Sequence, residues 1–483
     1  MRLPFSPRPY LALGLAAALG AQDADFAEKL FRSGERAYAA KSYKEALDTW
    51  NQLLGAAPRS DFAPQAALRI AQHLADVDGK PDAAMPYLDR LKTEYLRTPW
   101  AAQGLLLRGT LLARRARKPE ELKDAVAEFN RVLDLFPDSP AVPEARYQLG
   151  LAALGTGQLN KALGYFVETF RAHPDSAIAP EAMVQAAAAL DASGDLEGAL
   201  RLLQRVRNTA PGSPAADEAG WRLTTLVRHR LLKAPLKVEG PWPAGKVKWL
   251  HTPTLLAMDA QGGLLIYQSD LNQAFALKAN EAVAASGSLP SARVLLAAPS
   301  GPWLFSKNSL VKGEAAPAPV AGLNAITGAF LDRWGSLWVS DAKAPNLTVI
   351  GPDGLTRAVA APTFNALAPL PQGMAGASDD TRTLILMDAE GKEKQKLPYG
   401  QGLPAPFKEI LALASDPLGH LAAIVDGGEF GEGVVVYDAK GAVLRQASFK
   451  SLGLAGRFTS LVLDRSGGII LCDRRNDILV RLF

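Results

Sequence analysis

"PEARYQLGLAALGTGQLNKALGYFVETFRAHPDS", residues 143–176, carries the pattern that decides the fold of the first half of the chain. Its apolar residues recur at helical spacing on both sides of the "GTGQ" at 155–158, and Pro174 closes the stretch. It therefore reads as two helices joined by a tight turn. Gly150 in the first helix stands in register with Ala162 and Phe166 in the second. A glycine facing an alanine lets two antiparallel helices approach closely, and the bulky residue fills the space beside that contact. The proline stops the second helix because it has no amide hydrogen to donate.

The same register recurs outward from this stretch. Gly34, Ala46, Trp50 and Pro58 keep the spacing of Gly150, Ala162, Phe166 and Pro174, and so do Ala187, Ala199, Leu203 and Pro211. The prolines at 58, 99, 137, 174 and 211 fall about 40 residues apart, the size of a helical repeat. From Asp25 to Leu232 the chain thus predicts five helical hairpins and a closing helix from Pro214 to Leu232. In the third unit Gly109 and Ala125 stand farther apart than Gly150 and Ala162, which predicts a lengthened pair. "RRARK", Arg114 to Lys118, reads as a solvated helix end.

These residues resemble the tetratricopeptide repeat, and the fourth unit, residues 143–176, is the best match. The "PDSP" and "PDSA" connections look like those of bacterial envelope proteins of this class. The resemblance implies a groove, lined by the first helix of each pair, that takes an extended peptide or a partner helix. Its groove-facing positions fall on Glu28, Phe31, Glu35 and Tyr38 in the first unit. In the fourth they fall on Glu144, Tyr147, Leu151 and Leu154, and in the fifth on Glu181, Val184, Ala188 and Asp191. Repeats that capture a carboxylate tail need lysine and asparagine donors. This groove offers apolar and acidic groups, so an apolar or basic segment is the expected occupant.

The first residues, "MRLPFSPRPYLALGLAAALGAQDAD", place arginines at 2 and 8 before an apolar stretch from Tyr10 to Leu19 and a run of small residues. That is the layout of a secretory leader, 1–21. The apolar stretch is too short for the roughly 20 residues that span a bilayer, and no cysteine near the cleavage point offers a lipid attachment. The expected location is therefore the periplasm or the exterior, with no transmembrane span after cleavage. With 53 basic and 49 acidic residues the net charge is +4, which gives no reason to expect a nucleic-acid partner. The lone Cys472, in "GIILCD", cannot form an internal disulfide and reads as a buried strand residue.

Composition changes after His229. "LLKAPLKVEGPWPAGK", 231–246, carries three prolines and two glycines, and residues 233–246 read as a connector between a helical domain, 22–232, and a β domain, 247–483. In the β domain short apolar runs alternate with glycine turns. "MDAQGGLLIYQSD", "LDRWGSLWVSD", "SDPLGHLAAIVD" and "LDRSGGIILCD" all read Asp-x-x-Gly, at Asp259, Asp332, Asp416 and Asp464, and then run into a strand that ends at another aspartate. Weaker copies place Gly301 and Gly373 at the turn. The six turns, at Gly262, Gly301, Gly335, Gly373, Gly419 and Gly467, recur about every 40 residues, the length of a four-stranded propeller blade. The last copy has no room for a fourth strand before Phe483, so "KVKWL", 246–250, is expected to close the ring.

This unit resembles the NHL repeat and the wider group of six-bladed propellers. Asp270 with Asn272, and Asp473 with Asn476, look like that family's Asp and Asn before the third strand. Asp332 and Asp341 read as turn-forming, Trp338 as core, and Trp334, in the turn, as the candidate contact on the propeller face. The histidines at 73, 173, 229, 251 and 420 are scattered without zinc-ligand spacing, and neither the Walker pattern nor Gly-x-Ser-x-Gly occurs. The two resemblances together imply a TPR solenoid followed by a six-bladed propeller. They imply a non-enzymatic scaffold or adaptor of the cell envelope, with protein partners and neither cofactor nor metal. The alternative is a metal-dependent propeller hydrolase, lactonase-like, with the repeats as a targeting domain.

Overall fold

The computed structural model describes residues 25–232, 235–241, 249–259, 261–278, 281–320 and 322–483. The leader expected at 1–21 lies outside them. The chain packs as two compact units that part between Ala189 and Leu190.

The first unit is a run of helical hairpins. They are α1 (25–39) with α2 (Tyr43–Ala56), α3 (Ala63–Asp76) with α4 (Pro81–Thr93), α5 (Trp100–Arg115) with α6 (Leu122–Leu135), and α7 (Val142–Gly155) with α8 (Leu159–Ala172); α9 (Ala179–Ser193) opens a fifth. The packing rule is visible in α7 and α8. Phe166 is fully buried, and a Cβ added at Gly150 would lie 2.7 Å from its Cδ1 and 2.8 Å from its Cζ. Gly34 lies in the same way under Trp50, and Gly109 under Phe129. The ring itself occupies the space that the missing side chain leaves, so the glycines set how closely the helices approach. The third pair is lengthened as expected, by a 16-residue α5 and a 3-10 turn at Pro119–Glu121. α5 ends at the exposed Arg114 and Arg115 of the basic run.

The second unit opens with α10 (Leu196–Thr209), whose N-terminus is capped by Asp195 accepting the Gly198 amide at 2.8 Å. α11 (Pro214–Leu226) follows and passes into a π-helical turn, Val227–Leu231. The described residues thus hold eleven α-helices. Six four-stranded antiparallel sheets come next, five of them hydrogen-bonded in chain order from an innermost to an outermost strand. The innermost strands are Pro253–Met258, Val294–Ala298, Ile326–Leu331, Ala366–Leu370, Glu409–Ser415 and Phe458–Leu463. The chain is a helical-repeat region followed by a six-bladed β-propeller.

The ring closes by another route than the one expected from 246–250. The fourth strand of the sixth blade is Val238–Pro241, paired antiparallel with Ile478–Leu482. Lys237 and Phe483 also exchange backbone hydrogen bonds at 2.7 and 2.9 Å. Residues 246–248 lie outside the described residues, and Trp249 and Leu250 belong to no strand. The glycine and proline that make "VEGP" look like a connector suit an outermost strand, where one edge needs no ladder bonds and the bulge between Val238 and Gly240 is tolerated.

The Asp-x-x-Gly turns share one geometry. One carboxylate oxygen of Asp332 accepts the Trp334 and Ser336 amides, both at 2.9 Å. Asp259, Asp416 and Asp464 repeat this with their own second and fourth following residues. Gly335, at φ +80°, supplies the left-handed backbone that the turn demands. In the two weaker copies Gly301 and Gly373 instead open the following strand, and the turn falls just before them. Each blade's apolar faces then pack on the next blade: the buried Phe330 and Trp338 of the third share a cluster with Met374, Ile385 and Met387 of the fourth. Cys472 is buried in the sixth blade, and burial pushes its thiol up to about 11. Among the described residues no helix is long and apolar enough to cross a membrane.

Candidate functional site

The groove positions of the first unit are half-buried rather than free, except Val184, which is buried outright and faces no groove. Phe31 packs at 5.6 Å from the ring of Phe62, and Tyr38 sits among Tyr43, Trp50 and His73. Glu28 pairs with Arg32, and Glu35 accepts from Arg69 at 2.9 Å. In the fourth repeat Tyr147 lies 5.6 Å from Phe166, Glu144 accepts from Gln148 at 2.8 Å, and Leu151 is half-buried. The aromatic members therefore support the hairpins, while the carboxylates present the exposed chemistry.

Sequence reasoning missed a buried carboxylate in this unit. Glu128 of α6, 3% exposed, accepts from Lys92 of α4 and Arg108 of α5, each at 2.7 Å. Three helices meet on one charge. Nothing in the charged sequence around Glu128 separates it from solvated neighbours.

In the propeller the six innermost strands line a channel of about 310 Å3. Its lining is chiefly leucine, alanine and valine, with Arg293, Thr327, Asn365, Ser415 and Thr459 among the polar groups. Among the described residues no aspartate, glutamate or histidine lines it. The repeat aspartates are spent elsewhere: Asp341 accepts the amides of Asn324, Ala325 and Lys343, and Asp473 those of Arg457, Arg475 and Asn476. Burial alone would raise the Asp341 carboxyl, but those three amides outweigh it and hold the group below its ordinary value. Trp334 is half-buried in its turn.

A second polar cluster lies elsewhere in the second unit, where the π-turn meets the turns of the last two blades. Thr225 donates to the Arg465 carbonyl at 2.8 Å, and Arg228 donates to Ser466 and lies 3.7 Å from the centre of the Phe483 ring. Arg230 pairs with Asp191 at 2.6 Å. Between these two arginines the ring of His229 points at the fifth blade, 4.9 Å from that of His420. His420 Nδ1 stands 2.7 Å from Asp416 Oδ2, on the carboxylate whose other oxygen holds the turn. The histidines that looked scattered in sequence are here brought to ring contact. Burial, and then His420, push the His229 imidazole down to about 3. For His420 burial pulls the other way from Asp416, and the carboxylate prevails, so its value is raised.

Residues 181–213 match a tetratricopeptide repeat family model. The match covers one repeat of the helical region. No curated protein matches the chain. Among solved structures, virginiamycin B lyase from Staphylococcus aureus is 11% identical, with 51% of this chain and 99% of that chain covered at a TM-score of 0.36. MamA is 18% identical over 36% of this chain and 92% of that one, at 0.30. PilW, titled a widely conserved type IV pilus biogenesis factor, is 19% identical over 40% and 81%, at 0.32.

Proposed function

We propose that the protein is a periplasmic or secreted scaffold without catalytic activity of its own, holding one protein in its TPR groove and a second on the face of an NHL-like propeller. Tetratricopeptide repeats and a propeller together fit a protein-interaction scaffold. The observation that carries the reading is the lining of the propeller channel. A lactonase-like hydrolase would hold its cation there on several acidic and amide side chains, and the described lining offers one amide, Asn365, with no carboxylate. Export rests on the leader at 1–21.

The groove favours a basic or apolar segment. Glu28 and Glu35 sit in partly exposed ion pairs with Arg32 and Arg69, and such pairs contribute only about 0–1 kcal/mol. A partner's lysine or arginine can therefore displace Arg32 or Arg69 at little cost. The test is capture of partners from native cell envelope by the mature protein and by a Glu28→Lys/Glu144→Lys variant of unchanged circular dichroism. The reading expects a reproducible partner that the variant loses. An identical retained set from both proteins would remove groove binding from the account.

A further inference from the structure

The cluster of His229, Asp416 and His420 has no part in the scaffold reading, and it has a feature that packing does not explain. His229 is fully buried, yet neither of its ring nitrogens finds a hydrogen-bond partner among the described residues. A buried polar atom left unpaired costs free energy, and native proteins rarely tolerate one without an ion or a water to complete it. Two such atoms on one ring are a stronger anomaly. The π-turn at Val227–Leu231 compounds it: Arg228 reaches Ser466 and Arg230 reaches Asp191, while the ring of His229 between them has no hydrogen-bond partner among the described residues.

What surrounds that ring is a set of ligand atoms. His229, Asp416 and His420 each offer one atom, and these lie within 4.8 Å of one another. A tetrahedral site with bonds of about 2.0–2.1 Å sets its ligand atoms roughly 3.3 Å apart, so modest side-chain rotations bring the three together. Two imidazoles and one carboxylate form a nitrogen-rich donor set that suits borderline transition-metal ions and is poor for calcium or magnesium, which take oxygen. A path in exists as well, because His420 also lines a cavity of about 410 Å3 together with Asp191, Arg230 and Leu418.

We propose that His229, Asp416 and His420 bind a divalent transition-metal ion, zinc in the first instance, that ties the π-turn after α11 to the Asp-x-x-Gly turn of the fifth blade. The ion takes the place of the proton that His420 Nδ1 and Asp416 Oδ2 share, and a nitrogen of His229 completes the protein ligands. Its role is structural: all three residues are at most 6% exposed, and the ion ties two segments that meet only in the folded second unit. The turn aspartates of the other blades spend their second oxygen differently, Asp332 on the Trp338 indole and Asp464 on Arg481. Among the described residues only the fifth blade pairs its turn aspartate with a histidine facing a second histidine.

The test uses the full mature chain, stripped with EDTA and titrated with Zn2+ by calorimetry. The wild type should bind one ion per chain and melt at a higher temperature when saturated. His229→Phe, which keeps the buried volume, should lose both effects, whereas His251→Ala, at an exposed histidine, should keep them. Should His229→Phe fail to fold, the wild type alone decides: bound Cu2+ must show electron paramagnetic coupling to two imidazole nitrogens. Equal zinc uptake by wild type and His229→Phe, or copper without nitrogen coupling, overturns the proposal and leaves water as the partner of the His229 ring.

Discussion

Replacing Gly150 with alanine sets two known effects against each other inside one hairpin. Alanine is the better helix former by about 1 kcal/mol. Against that, the new Cβ would meet Cε1, Cδ1 and Cζ of Phe166, the latter two at 2.7 and 2.8 Å, where carbon atoms rest at about 3.5–4.0 Å. Phe166 is fully buried, so the ring has to move by about 1 Å against packed neighbours. Overpacking of that kind costs about 1–3 kcal/mol, and a contact along a whole ring edge belongs near the upper end. The expected net effect is a loss of about 2 kcal/mol, read as a lowered urea midpoint of the helical signal. Gly164→Ala, in the same hairpin but with nothing within 4 Å of its Cβ, should instead gain about 0.5–1 kcal/mol. Phe166→Leu combined with Gly150→Ala should recover most of the loss, since the fifth repeat itself carries Ala187 and Leu203 at these positions. If Gly150→Ala proves as stabilising as Gly164→Ala, the close-approach account of the repeats is wrong.

Glu128→Gln keeps the volume but leaves Lys92 and Arg108 without their shared carboxylate; a loss of roughly 3 kcal/mol in urea unfolding is expected, and a change within error would show the network to be dispensable. Asp341 has a lowered folded-state value, so its contribution is complete above the unfolded value of about 3.9 and is lost as pH falls through the folded one. Melting curves between neutral and acid pH should therefore converge for wild type and Asp341→Asn at the acid end, and parallel curves would contradict this. Cys472, buried and raised to about 11, should resist thiol reagents in the native protein at pH 8 and react fully in denaturant; fast native labelling would mean that the sixth blade opens.

Both architectures were legible in the sequence because each rests on local chemistry that repeats. Gly34, Gly109 and Gly150 mark the same close approach, and Asp259, Asp332, Asp416 and Asp464 make the same turn. What stayed hidden depends on contacts between distant residues or on positions where the usual signals invert. Val238–Pro241 was masked by the glycine and proline that an outermost strand can carry. His229 and His420 lie in a helix end and a propeller turn, and only the folded second unit shows that their rings meet. Glu128 looks like any solvated helix charge until Lys92 and Arg108 arrive from two other helices. The groove was read from the repeat register, which located Phe31 and Tyr38 but could not show that both rings pack on Trp50.

The measurement that bears most directly on the scaffold reading is sequential purification from native envelope through the two partners it requires. The complex is captured first on the protein recovered through the groove, released intact, and captured again on the protein recovered through the propeller. The account predicts that a ternary complex survives both steps, and that Glu28→Lys/Glu144→Lys breaks the first step without disturbing binding at the propeller. Partners that exclude one another, or a propeller ligand that leaves chemically altered, would contradict it.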